Sequence, residues 1–318
     1  MEHLDLKDRK ILYQLEKNSR ISVSDIARKV TTSKQLVSYK IKRLEERGII
    51  RGYHAIIDTS KLGYTTYRVY LKFKNLTTKK KEEIIKYLTS IDEVTILLTI
   101  NGLWDVGCAI MVKGIYEFYE VWEKIMKYAK FIDTHHVSVY SPIYHFTRSF
   151  LNPDKPEKVE TYILGGKEKV DFDDFDIKIL ALIAPNVRRP LIETAEKLHK
   201  SLPFVISRLK LLEKKEIIQG YRPILNWDLL GYGYYKVDIS LSNREFEKEI
   251  FNFCKSNSFI FQVDKTIGGS DLEIEIYAKS LIHFRETMQE MQDRFYQVFK
   301  NYNYFTLDKT YKETFFPL

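Results

Sequence analysis

Lys34, Gln35, Ser38, Tyr39 and Lys42 stand at i, i+1, i+4, i+5 and i+8, which on a helix is one face. All five can donate hydrogen bonds, two are cationic, and no carboxylate interrupts them. That is the chemistry of phosphate and base-edge contact. Ammonium groups meet phosphate oxygens, and amide and hydroxyl groups meet the donor and acceptor pattern of a DNA groove. A solvated helix face usually mixes both signs, as Arg43-Leu44-Glu45-Glu46-Arg47 does one turn later. Arg28, Lys29, Arg43 and Arg51 flank the face as phosphate contacts. The plain alternative is a surface helix that is simply basic.

Such a face needs a helix held end-on to its target. Ser33 is suited to cap it, Val37, Ile41 and Leu44 recur toward a core, and Gly48 supplies a left-handed stop. Upstream, Asp5 to Lys17 reads as a helix with Leu4, Asp8, Ile11, Leu12 and Leu15 inward; Asp8 is expected to cap or to pair locally. Ser22 caps a short helix through Ala27 to Lys29, and Thr31-Thr32 form the turn. A strand with a small wing is expected at Arg51 to Ile57. The order is that of a winged helix-turn-helix, with its last helix placed for the major groove.

The next stretch changes period. Tyr64 to Phe73 alternates as a strand, and Thr78 to Thr89 reads as a helix with Ile84, Ile85 and Leu88 inward. Val94 to Ile100 and Trp104 to Val112 are strands joined at Asn101-Gly102. Ile115 to Ala129 is a helix with an aromatic stripe of Tyr116, Phe118, Tyr119 and Trp122, and His136 to Tyr140 is a last strand. Strand, helix, strand, strand, helix, strand is the ferredoxin-like split βαβ.

The chain then repeats itself. Asp8 falls on Asp176, an offset of 168 residues, Ser33 on Ser201 and Val37 on Val205; the run KRLEERGIIRGY from Lys42 meets KLLEKKEIIQGY from Lys210. A period this long is a duplicated domain pair rather than a solenoid. The fold class is therefore α+β: two winged helix-turn-helix domains (1–58 and 172–228), each followed by a ferredoxin-like βαββαβ domain (59–151 and 229–318), with 152–171 as linker. Val159 to Leu164, Gly165-Gly166 and Lys167 to Val170 also read as a hairpin, and both readings of that segment stay open.

Composition agrees with a globular chain. Of 318 residues 44% are apolar and 30% charged, and the net charge of +8 favours an anionic partner. No apolar run approaches the roughly 20 residues that span a bilayer. With no signal-like start either, the expected location is cytoplasmic, with Cys108 and Cys254 as reduced core residues. No catalytic set, metal site or cofactor is expected. His135-His136 are adjacent on a strand and point to opposite faces, so they do not share a metal.

The runs LDLKDRKIL, ISVSDIARKV, SKQLVSYKIKRLEERGIIRGY, DTSKLGY (from Asp58) and NGLWDVG (from Asn101) resemble the leucine-responsive regulator family, Lrp/AsnC. The resemblance covers nearly the whole chain, twice, and the molecule looks like a family dimer fused into one polypeptide. It implies a sequence-specific DNA-binding transcriptional regulator and no enzyme, with double-stranded DNA as partner. It also implies an intrachain pseudo-dimer that can assemble further, and an effector, commonly an amino acid, near the glycine turns. Asn101, Gly102, Asp105, Gly268, Gly269 and Asp271 are the residues this points to.

Two other functions share the architecture. Siroheme decarboxylases are built from similar units and need an Arg- and His-rich pocket, for which Arg68, His54, His135, His136, His145 and Arg148 are the candidates. A ligand-sensing module acting by protein contact is the third.

The copies also differ. Leu202, Pro203 and Phe204 stand where Lys34, Gln35 and Leu36 stand, so the first copy is expected to read sequence. The second is expected to touch phosphates only, through Arg188, Arg189, Lys200, Arg208 and Lys210, or to serve as a packing surface. On the sheets, Arg68 and Lys72 of copy one and Lys236, Asp238, Glu273 and Glu275 of copy two favour pairing of unlike copies by charge, unless these strand faces are simply solvated.

Overall fold

The computed structural model describes residues 4–152, 154, 159–166 and 169–317. The first copy runs α1 (Leu6–Lys17), α2 (Val23–Lys29), α3 (Lys34–Glu46), β1 (Ile50–Ile57), β2 (Thr65–Phe73), α4 (Thr78–Thr89), β3 (Val94–Asn101), β4 (Val106–Val112), α5 (Ile115–Met126) and β5 (Ile132–Phe146). After β6 (Thr161–Leu164) the second copy runs α6 (Asp174–Ile183), α7 (Leu191–Lys197), α8 (Leu202–Lys214), β7 (Ile218–Leu225), α9 (Trp227–Leu230), β8 (Gly233–Leu241), α10 (Glu247–Ser256), β9 (Ile260–Ile267), β10 (Leu272–Ala278), α11 (Leu281–Arg294) and β11 (Phe299–Glu313).

The helix starts follow from local chemistry. Asp5 and Asp8 form a capping box on α1, and Asp173 and Asp176 repeat it on α6. Ser33 and Ser201 accept from the Leu36 and Phe204 amides at the same position of α3 and α8. Gly48 takes φ +68° after α3; its counterpart after α8 is Glu216 at φ +54°, a conformation costly for a side-chain-bearing residue. Lys61 of the first copy reaches across and bonds the Lys215 carbonyl at 2.6 Å and Glu216 at 3.2 Å, which holds that turn.

The strand expected to form a wing pairs elsewhere. β1 joins β7 of the other copy in a two-stranded antiparallel ribbon, with His54 opposite Arg222. The second copy offers the equivalent strand related by an approximate twofold axis, so each copy's strand serves as the partner of the other. The reciprocity is close: the Asp58 amide donates to the Ile217 carbonyl at 2.8 Å, and the Asn226 amide donates to the Ile49 carbonyl at 2.9 Å. The two heads therefore share one core, containing Ile11, Leu12, Val37, Ile49, Ile179, Val205 and Ile217 from both copies. At about 1.5–3 kcal/mol for each fully buried aliphatic side chain, that shared burial makes the heads one body rather than two.

The ferredoxin-like halves close on each other. β5-β2-β4-β3 forms one four-stranded sheet and β11-β8-β10-β9 the other; β3 pairs with β11 and β9 with β5, so eight strands form a closed barrel without a free edge. The expected split βαβ order is thus present in both copies. α4 and α5 cover the outside of the first half, and α10 and α11 that of the second. Within the segment expected as linker, β6 pairs with the second half of β5. Residues 167–168 of the hairpin's other arm lie outside the described residues, and Val170 donates to Lys61 rather than to a strand partner.

Candidate nucleic-acid interface

On α3, Val37, Ile41 and Leu44 are buried, and Lys34, Gln35, Ser38, Tyr39 and Lys42 are exposed; Tyr39 keeps 60% of its surface. No other part of the described chain covers this face. The helix is pinned by a residue the sequence reading did not single out. Lys40 is buried and bonds Asp5 at 2.6 Å and Asp8 at 2.8 Å, tying the middle of α3 to the start of α1. Asp8 thus both caps and pairs.

The flanking cations are also outward. Arg28, Lys29, Arg43 and Arg51 are exposed; Arg28 pairs with Asp25 at 2.5 Å, and Arg51 donates to the Leu225 carbonyl at 3.4 Å. Lys42 lies 3.6 Å from Glu46, so the face has an acid at its far end. Exposed pairs of this kind contribute only ~0–1 kcal/mol and can exchange for a phosphate.

The second head differs in what its cations do. Arg208, the counterpart of Lys40, bonds Asp173 and lies 3.1 Å from Asp176. Arg188 donates to the Ser19 carbonyl and Arg189 to the Leu182 carbonyl, both at 3.1 Å. Lys200 lies 4.6 Å from the Phe175 ring centre. Of the five residues expected to touch phosphates there, Lys210 alone stands exposed with no such internal contact among the described residues.

The six residues expected near an effector fall in two separate places. Asn101 and Gly102 lie on the β3–β11 seam, where a side chain at Gly102 (φ +140°) would come within 3.0 Å of Phe305. Gly268 (φ +84°) and Gly269 lie beyond β9 on the opposite seam, where a side chain at Gly268 would meet the Val137 carbonyl at 3.2 Å. Asp105 and Asp271 do the same structural job in each copy, accepting the Phe73 and Leu241 amides at 2.8 Å; Asp105 also holds Lys72 at 3.3 Å. Both turns therefore sit at the join between copies, and their acids are engaged with strand ends.

The barrel interior is charged. Lys236, with no exposed surface, bonds Asp264, lies 3.0 Å from Glu273 and 3.5 Å from Glu275, and is 5.2 Å from the Tyr140 ring. Tyr140 of the first copy donates to Glu273 of the second. Arg68 stacks on Tyr140 at 4.7 Å. Burial alone would raise the Glu273 carboxyl, but Lys236, Tyr140 and Arg68 together hold it below the ordinary range. Burial and like charge push Asp238 and Asp264 up to about 6. The expected charge pairing of unlike copies is thus narrower than drawn: Lys72 is used within its own copy, and the acids of copy two mainly surround Lys236 of that same copy.

The candidate tetrapyrrole set is dispersed. Arg68 lies inside the barrel, His135 packs on Trp122 outside it, and His136 faces Trp104. His54, His145 and Arg148 do meet, with Arg222, where the heads rest on the barrel. Glu16, fully buried, takes Arg148 at 3.0 Å and Arg222 at 3.3 Å, and His54 stacks on Phe315 at 3.6 Å. Burial first and the two arginines second hold His145 well below its ordinary value and push His54 down to about 3. Glu16 beside Leu12 and Leu15 on a helix was a readable signal of a buried charge.

Among the described residues no helix is long and apolar enough to cross a membrane, and no cluster fit for a metal is present.

Residues 4–51 match the family model described as winged helix-turn-helix DNA-binding. The regulator Ptr1 of Methanocaldococcus jannaschii is 36% identical over 115 residues, which are 35% of this chain and 74% of Ptr1. The regulatory protein AsnC of Haemophilus influenzae is 30% identical over 121 residues, 38% of this chain and 80% of AsnC. Each aligns with about one copy's length. The crystal structure of the siroheme decarboxylase NirDL superposes with a TM-score of 0.65 over 97% of this chain and 93% of that one, at 14% identity, a likeness of fold alone.

Proposed function

The chain belongs to the Lrp/AsnC family of DNA-binding transcriptional regulators, and from that premise we propose that it reads DNA through α3 of its first head. The observation that carries this is the exposed donor face of α3, held outward by the Lys40 anchor. Lys34, Gln35, Ser38, Tyr39 and Lys42 face base edges in the major groove, and Arg28, Lys29, Arg43 and Arg51 hold the phosphates. Sequence relatives are regulators by name, and the chain is grouped with them rather than with decarboxylases.

A small effector, in the amino-acid class the family resemblance implies, would act at the seams beside Asn101-Gly102 or Gly268-Gly269. A ligand wedged there would change how the two halves of the barrel meet, and through the shared ribbon how the heads are held. Titration calorimetry with an amino-acid panel tests this part.

The DNA reading is tested by fluorescence anisotropy on duplexes from a random pool at several salt concentrations. Binding should weaken with salt at a slope of about −0.9 for each phosphate neutralised. Replacing Lys34 and Lys42 with Ala should lower that slope. A chain that ignores duplex in dilute buffer refutes the reading.

A further inference from the structure

We propose that the two heads are unequal: α3 holds the duplex alone, and the DNA this protein recognises is a single half-site without twofold symmetry. This rests on the DNA-binding reading of α3 and adds the form of the partner.

Two identical helix-turn-helix units related by a twofold axis read inverted repeats, because each presents the same side chains to one half-site. Here the axis is kept and the side chains are not. The second helix is not broken. α3 and α8 each span 13 residues and start from a serine cap at the same position, and Lys40 and Arg208 pin them to α1 and α6 alike. Whatever separates the heads is therefore chemical.

The nine positions assigned to DNA in the first head carry six cations, Arg28, Lys29, Lys34, Lys42, Arg43 and Arg51, and no acid. Their nine counterparts, one period later, carry Lys197 and Lys210 against Glu196, which replaces Arg28. Leu202, Pro203, Ile206 and Leu211 replace Lys34, Gln35, Ser38 and Arg43. Gln219, in the place of Arg51, is bonded on both sides to the Ile163 backbone. The attraction for phosphate is thus nearly cancelled, and an acid at the Arg28 position repels the backbone it would have to approach.

Base reading shrinks with it: of the five counterparts only Ser207 and Lys210 keep a polar side chain, and the Ser207 hydroxyl donates to the Phe204 carbonyl at 2.8 Å. Leu202, Pro203 and Ile206 offer a base edge no hydrogen bond; a thymine methyl is all they could contact. Leu202 and Phe204 instead pack partly against the shared core, with Phe204 edge-on to Phe175 at 5.5 Å. Of the other cations on this head, Arg188, Arg189 and Arg208 already bond carbonyls or carboxylates of the protein itself, and Lys200 rests over the Phe175 and Phe204 rings.

The test is selection of bound duplex from a random pool with the whole protein. The enriched motif should be one block without an inverted repeat; an inverted repeat about one helical turn apart would overturn the inference. Failure to enrich any duplex would instead refute the reading of α3, so the two failures are distinguishable. Two variants sharpen it. Lys197→Ala with Lys210→Ala should leave affinity within about twofold, whereas Lys34→Ala with Lys42→Ala should weaken it ~10-fold or more. A graft of first-head residues, Glu196→Arg, Leu202→Lys, Pro203→Gln, Ile206→Ser and Ser207→Tyr, should gain the second half-site. All of these positions are at least partly exposed, and unchanged circular dichroism checks the fold. A graft that still selects one block would overturn the claim that side-chain chemistry separates the heads.

Discussion

The Lys40 ammonium lies 2.8 Å from the Asp8 carboxylate, and both side chains are more than nine-tenths buried. This pair sets the angle of α3 on its head, since it joins the centre of the reading helix to the first turn of α1. Removing Lys40 leaves the Asp8 carboxylate charged in a dry site, whereas removing Asp8 leaves Lys40 its Asp5 contact at 2.6 Å. Lys40→Met should therefore destabilise the protein by about 3–5 kcal/mol, while Asp5→Ala, which loses the cap of α1 and a half-exposed contact, should cost about 1–2 kcal/mol. Urea unfolding of the two variants checks the order; equal costs would mean that the buried pair contributes no more than the cap and the exposed contact.

Gln35 is the one amide on the exposed face, and an amide can bond adenine on two atoms. Gln35→Ala should relax the preference at one base pair by about 1–3 kcal/mol and leave the salt slope alone, because no charge is lost. Competition binding with single-base variants of the selected site measures this. A preference that stays intact removes Gln35 from the reading set.

Lys236 is held by three carboxylates inside the barrel. Replacing it with Met removes the charge that makes Asp264, Glu273 and Glu275 tolerable together. The expected loss is at least ~3–5 kcal/mol, the cost of breaking a buried pair from one side. Glu273→Lys with Glu275→Lys should separate the barrel halves more than it unfolds either, because Glu273 also accepts from Tyr140 across the join. Hydrogen exchange along β5 and β9 reports on that join, and unchanged protection would count against it.

Acid should weaken the protein through His54 and His145. An unfolded histidine titrates at about 6.5, and in the folded chain burial and the two arginines hold His145 well below its ordinary value and His54 down to about 3. A lowered folded value means that the native state refuses protons which the unfolded chain takes up. The stability is full above about pH 6.5 and is lost progressively as pH falls toward 3. Asp238 and Asp264, raised to about 6, act in the opposite sense: what they contribute is present below about pH 4 and is lost as pH rises through 6. Exchanging His54 for Phe should therefore flatten the acid limb, measured as urea midpoints at pH 4.5 and 7.5, and a parallel loss in both proteins would show that another group governs it.

Much of this molecule was written along the chain. The repeat is plain in the residues themselves, and the caps at Ser22 and Ser33, the local capping role of Asp8, the stop at Gly48, the inward rows of α3 and α4, and the donor face of Lys34, Gln35, Ser38, Tyr39 and Lys42 follow from neighbours within one or two turns, where period and propensity act; that Asp5 is the capping residue itself was not read. Partner choice did not. That β1 pairs with β7 instead of folding into its own wing, that β3 meets β11 and β9 meets β5, that Arg208 is spent on Asp173 and Asp176, and that Glu16 gathers Arg148 and Arg222 are matters of which edges and charges meet across 100 residues or more, or across helices of one head. Local sequence fixes the period and facing of an element, whereas a hydrogen-bonding edge or a buried charge is satisfied by whatever the closed fold brings to it, and only the tertiary structure decides that.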